Sequence, residues 1–213
     1  VNEKIFPSIV GGFLDPNPAL RELTIISVVH LVPKMEKKTI DGTLLKALAK
    51  MQMDSEPGIR ANATICLSKI SVHLSPDSRK RSLIPGFSRA LQDPFVHTRS
   101  AGVMAFAATQ QYYDKDDIAR RIIPVLSVCC IDKQEKVRKN ALNTVKAFIA
   151  KLEFISENPD QEDAGKQAPG MFGWAVSSIS KFYPSKATNN PTSTDSSPKV
   201  NAPAATKEEN MSN

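Results

Sequence analysis

The chain has little of the chemistry that a disulfide framework or a metal site requires. Among its 213 residues there are only three cysteines and three histidines. Cys129 and Cys130 are adjacent, and neighbouring residues of a helix point in different directions. Together with Cys66, they are therefore predicted to be reduced core residues of an intracellular protein. The histidines share no metal-ligand spacing, so we expect no metal site.

Long apolar runs and catalytic motifs are missing as well. No apolar stretch approaches the roughly 18–20 residues that a membrane-spanning helix needs. The sequence has no glycine-rich phosphate loop, no Asp-Phe-Gly triplet and no spacing typical of a Ser-His-Asp or Cys-His site. We therefore expect no enzyme activity, no cofactor and no small-molecule substrate. The first residue is a valine inside an expected helix, which predicts a fragment of a longer protein.

The sequence does contain a tandem repeat with a period of 39 residues. An Asp recurs four times at this interval, and an Arg stands six residues after each Asp. Apolar residues keep the same interval at ten, nine and six residues before each Asp. An ungapped period near 40 is typical of helical solenoids. The two columns are Asp15, Asp54, Asp93 and Asp132, and Arg21, Arg60, Arg99 and Arg138.

Each repeat has the pattern of two helices joined by the turn that contains the Asp. In the fourth repeat, apolar residues recur every three or four positions both before and after Asp132. Pro18 and Pro57 stand where second helices should begin, a position that tolerates the missing N–H. We predict an all-α fold without strands, an armadillo-like α-α superhelix over residues 1–154, followed by a disordered tail. The predicted units are about 1–39, 40–74, 75–113 and 114–154.

The paired Asp and Arg columns, here called the Asp–Arg ladder, favour a structural role. A carboxylate in the turn can accept hydrogen bonds from the free N–H groups at the start of the second helix. The Arg can reach the Asp of its own or of the neighbouring repeat. We expect a partly exposed pair that contributes about 0–1 kcal/mol and mainly fixes the register. The alternative is a row of arginines that bind a ligand, which we favour less because every Arg is accompanied by an Asp.

Charge is distributed unevenly along the chain. Residues 1–154 contain 23 Lys or Arg and 15 Asp or Glu, a net charge of +8. Residues 155–213 contain five Lys and seven Asp or Glu, a net charge of −2. Basic patches can bind RNA or acidic proteins, although solvated outer helix faces have the same composition. The candidate basic surface consists of Arg79, Lys80, Arg81, Arg120, Arg121, Lys136 and Lys139.

One apolar segment interrupts the polar composition of the predicted tail. Residues 170–183 contain Trp174, the one tryptophan of the chain. The large residues of this segment can lie on one side of a short helix, so we predict that it docks on the solenoid, in a partner groove or on a membrane surface. We favour a protein groove over a membrane, because the polar side is Ser and Gly rather than Lys and Arg. The candidate partner motif is Phe172, Trp174, Val176 and Ile179.

The repeat resembles the HEAT family over about 150 residues. The shared features are a proline inside first helices, an Asp-Pro turn, and Val or Ile followed by Arg at the start of second helices. These features lie at Pro7, Pro85 and Pro124, at Asp15-Pro16 and Asp93-Pro94, and at Ile59-Arg60 and Val137-Arg138. The resemblance implies a HEAT-type solenoid. HEAT arrays serve many functions, so the fold alone does not imply one.

Specific segments within residues 1–183 also resemble the Scy-like pseudokinases. One segment is Gly173–Ser178, with the sequence Gly-Trp-Ala-Val-Ser-Ser, which follows the basic array. Others are Arg99–Gly102 and Ile122–Leu126 within the array. The resemblance implies a parent protein whose kinase-like domain is catalytically inactive and lies outside this chain.

The same resemblance implies a function. It implies a non-catalytic protein-interaction scaffold that acts in tRNA nuclear export, in vesicle-mediated transport between the Golgi and the endoplasmic reticulum, or in both. The implied partners are proteins of the export or coat machinery, with tRNA as a further candidate. The implied location is the cytoplasm, with peripheral attachment at the Golgi or the nuclear pore. The alternative function is an RNA-binding solenoid that binds tRNA through its basic face.

Overall fold

The computed structural model describes residues 5–158, and the partner motif lies outside this range. The last helix continues to Glu157, so the tail predicted from residue 155 begins at least three residues too early; its residues beyond 158 lie outside the described range. All regular structure within residues 5–158 is helical. The α-helices are α1 (Ile5–Val10), α2 (Pro18–Leu31), α3 (Lys37–Thr39), α4 (Leu45–Met51), α5 (Pro57–Ile70), α6 (Pro76–Leu91), α7 (Val96–Ala108), α8 (Lys115–Asp117), α9 (Ile123–Cys129) and α10 (Glu135–Glu157). Short 3₁₀ segments are Gly11–Leu14, Val32–Lys34, Ser71–His73 and Gln110–Tyr112, and π-helical turns are Ile40–Leu44 and Ile118–Ile122.

The helix starts follow from local sequence. Pro18 and Pro57 are the first residues of α2 and α5, which confirms the predicted positions. At the start of α6, the Ser75 hydroxyl accepts a hydrogen bond from the Ser78 N–H, as expected of an N-cap. The first helix of the second pair begins at Lys37, three residues before the boundary predicted at residue 40.

The helices form two layers, which confirms the predicted α-solenoid. The first helices of the pairs (α1, α3–α4, α6 and α8–α9) form the first-helix layer, and the second helices (α2, α5, α7 and α10) form the second-helix layer. Along the second-helix layer, α2 packs on α5, α5 on α7 and α7 on α10. Within the pairs, α4 packs on α5, α6 on α7 and α9 on α10.

The core lies between the layers and is built by the repeating apolar columns. Leu44, Leu83 and Ile122 occupy one column and are all fully buried. The three cysteines are free thiols, and Cys66 and Cys129 are buried in this core. Cys130 is half-buried and packs against the edge of this core rather than inside it.

Candidate interaction surface

The ladder Asp residues organise the turns between the two helices of each pair. Each carboxylate accepts a hydrogen bond from the backbone N–H two residues further on, which belongs to the N-cap residue of the second helix. The N···O distances are 2.8 Å at Asp15, 2.9 Å at Asp54, 2.8 Å at Asp93 and 2.8 Å at Asp132. The Asp therefore holds the chain in a turn and directs it into the next helix.

The ladder Arg residues connect each turn to the turn of the following unit. Arg60 donates from one Nη to the carbonyls of Asp54 and Ser55 in its own turn, at 2.9 and 3.1 Å. Its Nε and other Nη donate to both carboxylate oxygens of Asp93, at 2.6 and 2.9 Å. Arg21 binds Asp54, and Arg99 binds Asp132, in the same way. Each of these three arginines therefore contacts both Asp residues considered from the sequence: the carboxylate of the following repeat, and only the backbone carbonyl of its own.

These ion pairs are more buried than the partly exposed pairs expected from the sequence. The Arg60 side chain is 15% exposed and that of Asp93 is 8% exposed. Burial on its own would raise the pKa of Asp93, but the hydrogen bonds from Arg60 and from the backbone N–H of Phe95 lower it overall. The carboxylate is therefore ionised and held in a bidentate pair. Removing the Arg would leave a buried charge, which costs more than the loss of an exposed pair.

The ladder is incomplete at both ends of the described range. Arg138 donates from one Nη to the carbonyls of Asp132 and Lys133, as the other ladder arginines do in their own turns. Its Nε and second Nη have no partner among residues 5–158. At the opposite end, no Arg within the same range contacts the carboxylate of Asp15.

The residues of the predicted basic surface do not form one continuous surface in the structure. Arg79 is turned inward: it donates to the carbonyls of Ser71 and Val72, at 2.8 and 2.9 Å, and its guanidinium lies 4.2 Å from the centre of the Tyr112 ring. These contacts satisfy carbonyls at the end of α5 and place a cation over an aromatic face. Arg79 is therefore engaged in packing and is a poor candidate for binding a ligand.

The other six predicted basic residues are exposed and divide between the two layers. Lys80, Arg81, Arg120 and Arg121 lie in the first-helix layer, whereas Lys136 and Lys139 lie on α10. Arg120, Arg121 and Lys139 form ion pairs with acids one turn away in the same helix. The pairs of Arg120 and Lys139 are largely exposed and weak, so these two cations stay accessible to a ligand.

The first-helix layer carries further cations that the sequence analysis missed. Arg81 and Arg120 are 39 residues apart and occupy the same position of adjacent units. Lys50 and Arg89 form a second such pair, and this spacing is the signal that could have revealed them. The exposed residues Lys46, Lys50, Arg81, Arg89 and Arg120 are here called the cationic face.

Shallow grooves separate the first helices beneath these cations. A groove of about 180 Å³ between α4 and α6 is lined by Leu45, Gln52 and Pro85, with Arg81 and Arg89 at its rim. A second groove of about 180 Å³, between the first two units, is lined by Phe13, Met51, Lys46 and Lys50. Alternating apolar grooves and cations suit an extended acidic ligand better than a small molecule.

The described part of the chain contains neither a membrane-spanning helix nor a metal site. No helix between residues 5 and 158 is long and apolar enough to cross a membrane. The same residues contain no group of three or more His, Cys, Asp or Glu placed to hold a metal ion. The partner motif lies beyond this range, and the structure gives no information on it.

Comparison with known proteins relates the solenoid to one group of pseudokinases. The probable inactive serine/threonine-protein kinase scy1 of Dictyostelium discoideum is 36% identical, over 93% of this chain and 27% of that protein. The chain is homologous to the Scy-like pseudokinases. This confirms the resemblance noted in the sequence, and the name of the relative agrees with the expectation that the chain is not an enzyme.

Two other relatives match 64% and 72% of the chain. The protein kinase domain-containing protein ppk3 of Schizosaccharomyces pombe is 36% identical over 64% of this chain and 21% of that protein. Cytoplasmic export protein 1 of Saccharomyces cerevisiae is 31% identical over 72% of this chain and 20% of that protein. The chain thus spans about a quarter or less of the length of these three relatives.

Two further comparisons concern the fold. The crystal structure of Cex1p matches with a TM-score of 0.68 and 30% identity, over 73% of this chain and 30% of that chain. The family profile of the non-SMC mitotic condensation complex subunit 1 matches residues 1–94, less than half of the chain. Both matches agree with a HEAT-like solenoid.

Proposed function

We propose that this chain is the interaction region of a Scy-like pseudokinase and acts as a non-catalytic scaffold in the export of tRNA to the cytoplasm. The observation that carries this proposal is the relation to cytoplasmic export protein 1 over 72% of the chain. The geometry supports a binding role, because an elongated two-layer solenoid presents extended surfaces on which a partner can lie. In this proposal the chain works in the cytoplasm and its direct partners are proteins of the export machinery.

The cationic face is the surface that we assign to partner binding. Its five residues follow successive first helices, and grooves with apolar linings lie between them. A protein partner would place acidic side chains against the cations and apolar side chains in the grooves. Charge reversal on this face should therefore weaken partner capture without unfolding the solenoid, since its members are exposed.

The alternative is a solenoid that binds tRNA directly. The specific observation in its favour is the excess of exposed cations, with a net charge of +8 over residues 1–154. Direct binding would depend steeply on salt, with log K falling by about 0.7–0.9 per log unit of salt for each phosphate that is neutralised. A scaffold that reaches tRNA through proteins need not show such a slope for purified tRNA.

One capture experiment separates the two functions. The immobilised 213-residue chain is incubated with purified tRNA, with cytosolic extract, or with extract treated with protease, and the retained tRNA is quantified. The scaffold function predicts tRNA capture from untreated extract only. Capture of purified tRNA with a steep salt dependence would instead establish direct binding, and no capture under any condition would contradict both.

Matched variants show which face is responsible. The triple variant Lys50→Glu, Arg81→Glu and Arg120→Glu should lose capture, whereas Lys136→Glu, Lys139→Glu and Lys146→Glu on α10 reverse the same number of charges and should retain it. Equal loss in both variants would show that net charge, rather than the cationic face, controls binding. Mass spectrometry of the captured proteins also tests the vesicle-traffic branch, which predicts coat subunits among them.

A further inference from the structure

The last second helix, α10, has a face without a following unit among residues 5–158. The repeat allows each position of this face to be compared with its equivalents. Ile25, Thr64 and Val103 occupy one column and are fully buried. Leu142 is the fourth member of that column and is 44% exposed. A position that is buried in every earlier unit is therefore open in the last one.

The neighbouring positions show the same difference. Phe106 is fully buried, whereas Val145, its equivalent on α10, is only half-buried. Ile149 is 44% exposed, and Leu152 is half-buried. With Arg138, these residues are spaced alternately by four and three positions, so they form one stripe along the helix. We call the stripe the terminal face; it consists of Arg138, Leu142, Val145, Ile149 and Leu152.

The polar end of this stripe is Arg138, which resembles the ladder arginines of the earlier units. In the earlier units, the Nε and Nη groups of Arg21, Arg60 and Arg99 bind the carboxylate of the next unit. Arg138 is anchored to its own turn in the same way, which holds its guanidinium in place. The terminal face therefore repeats the surface that joins units elsewhere: apolar residues beside a fixed guanidinium.

We propose that residues 170–183 of this same chain cover the terminal face. The chain leaves α10 at Asn158, directly beside this face, so the segment remains at a high effective concentration. Leu142 lies about 22 Å back along α10 from its last residue. Residues 158–171 can extend over about 46 Å, which is enough to bring the segment back over the whole stripe.

Composition and charge favour this occupant. The segment is rich in large apolar residues within an otherwise polar tail, and the stripe offers apolar residues at matching intervals of three and four. The linker of residues 158–169 contains Asp160, Glu162 and Asp163 but only Lys166, a net charge of −2, so it is attracted to the solenoid with its net charge of +8. Residues 170–183 themselves contain no acid and only Lys181, so their contact with the face is apolar. A following unit covers this face in the earlier repeats, and residues 170–183 take that place after α10.

Trp174 makes the proposal measurable, since it is the one tryptophan of the full chain. The emission maximum and the acrylamide quenching of Trp174 are recorded for the 213-residue chain, native and in urea. Two variants with the same type of change are compared: Leu142→Glu with Ile149→Glu on the terminal face, and Met53→Glu as a control. Met53 is 66% exposed and lies far from α10 in sequence. Circular dichroism checks that each variant keeps its helices.

The expected result is a blue-shifted, protected Trp174 in the native chain and in the control, and an emission like that of the urea-unfolded chain in the terminal-face variant. The result should not depend on protein concentration. A native Trp174 that is already solvent-exposed would overturn the proposal, as would a blue shift that persists in the terminal-face variant. A blue shift that appears only at high protein concentration would assign the face to a second copy instead. If the double variant loses helicity, the milder Leu142→Gln is measured in the same way and must also expose Trp174.

Discussion

The helices α7 and α10 occupy the same place in successive units, yet they differ in how they are stabilised. Nine of the 13 residues of α7 are buried, compared with six of the 23 residues of α10. α7 has a neighbouring second helix on each side, α5 and α10, whereas α10 packs on α7 alone among the second helices of residues 5–158. In a solenoid, much of the stability of a unit therefore comes from the units beside it.

One position of α7 is restricted by the first helix of its own pair. α7 contains many small residues, and at Gly102 an added Cβ would lie 3.0 Å from a methyl of Leu91 and 3.1 Å from the Phe87 carbonyl oxygen. The helices α6 and α7 thus approach each other too closely for a side chain at this position. The equivalent position of α10 is Ala141, which is buried without such restriction to glycine. The enclosed helix α5 also has an alanine, Ala63, at this position, so the glycine reflects the close approach of α6 and α7 within one pair.

The largest expected effect is the loss of an aromatic ring from the enclosed helix. Phe106 is fully buried, with its ring centre 5.4 Å from that of Phe87 in an edge-on contact. Phe106→Ala should lower the free energy of unfolding by about 3–5 kcal/mol, because it leaves a cavity in the core. Val145→Ala, at the same repeat position on α10, should cost about 1 kcal/mol or less, because the side chain is half-buried. Urea unfolding of both variants is the measurement, and equal losses would contradict the comparison.

The same comparison shows why some features were predictable and others were not. The repeat period identifies equivalent backbone positions, so the Asp turns and the helix-opening residues Pro18 and Pro57 followed from the sequence. It does not give the direction of a long side chain. Nothing in the Arg column distinguished a contact within a unit from a contact with the next, and no pattern in the repeat predicted the π-helical turns.

Arg79 and Lys151 are two side chains whose burial was not predicted, for different reasons. Arg79 occupies the column of Ile40 and Ile118, both buried, so the repeat itself contained a signal that this arginine points inward. Lys151 falls in a column with Tyr112, a half-buried residue, and nothing in that column predicted a fully buried lysine. The burial of a side chain was thus predictable where equivalent positions of neighbouring units are buried alike. It was not predictable where one unit differs from the others at that position.

The ladder gives the second-largest expected effect. Arg99→Ala removes a bidentate pair and leaves the carboxylate of Asp132 buried without its partner, which should cost about 3 kcal/mol. Arg138→Ala removes the contacts to its own turn but no pair with a following unit, so its expected cost is about 1 kcal/mol. Urea midpoints at neutral pH test the ranking. A greater loss from Arg138→Ala would show that contacts within a turn outweigh contacts between units.

The same ion pair should make stability depend on pH. Hydrogen bonds from Arg99 lower the pKa of Asp132, so the stability from this pair should be lost as the pH falls below about 4, where the unfolded Asp is protonated.

The smallest expected effect concerns the one point where α10 is buried more deeply than its column predicts. The Lys151 side chain is fully buried, and its Nζ donates to the carbonyl oxygens of Gln110 and Tyr113, at 2.6 and 3.2 Å. These carbonyls lie just after α7, so the lysine joins α10 to the end of the enclosed helix. Burial lowers the pKa of this ammonium group to about 8, although Asp114 partly opposes the shift.

The sign of the pH dependence follows from the direction of this shift. Below pH 8 the lysine is protonated in both the folded and the unfolded state, so the pH has no effect through it. Between about pH 8 and pH 10.4 the unfolded state binds more protons, and the free energy of unfolding should rise with pH, by about 1–2 kcal/mol. Buried thiols act in the opposite direction above about pH 9, because burial raises the pKa of Cys66 to about 12 and that of Cys129 to about 11.

The measurement is therefore a difference between the wild type and Lys151→Met. Methionine fills a similar volume without a titrating group, and both proteins retain the same cysteines, so their contribution cancels. The two carbonyls lose their donor in the variant at every pH, which shifts its curve without changing its slope. The wild type should gain stability relative to the variant as the pH rises from 7 to 10, in urea titrations at fixed ionic strength. Parallel curves would show that Lys151 titrates as an exposed lysine does, and that α10 is no more firmly joined to α7 at this point than its exposed face suggests.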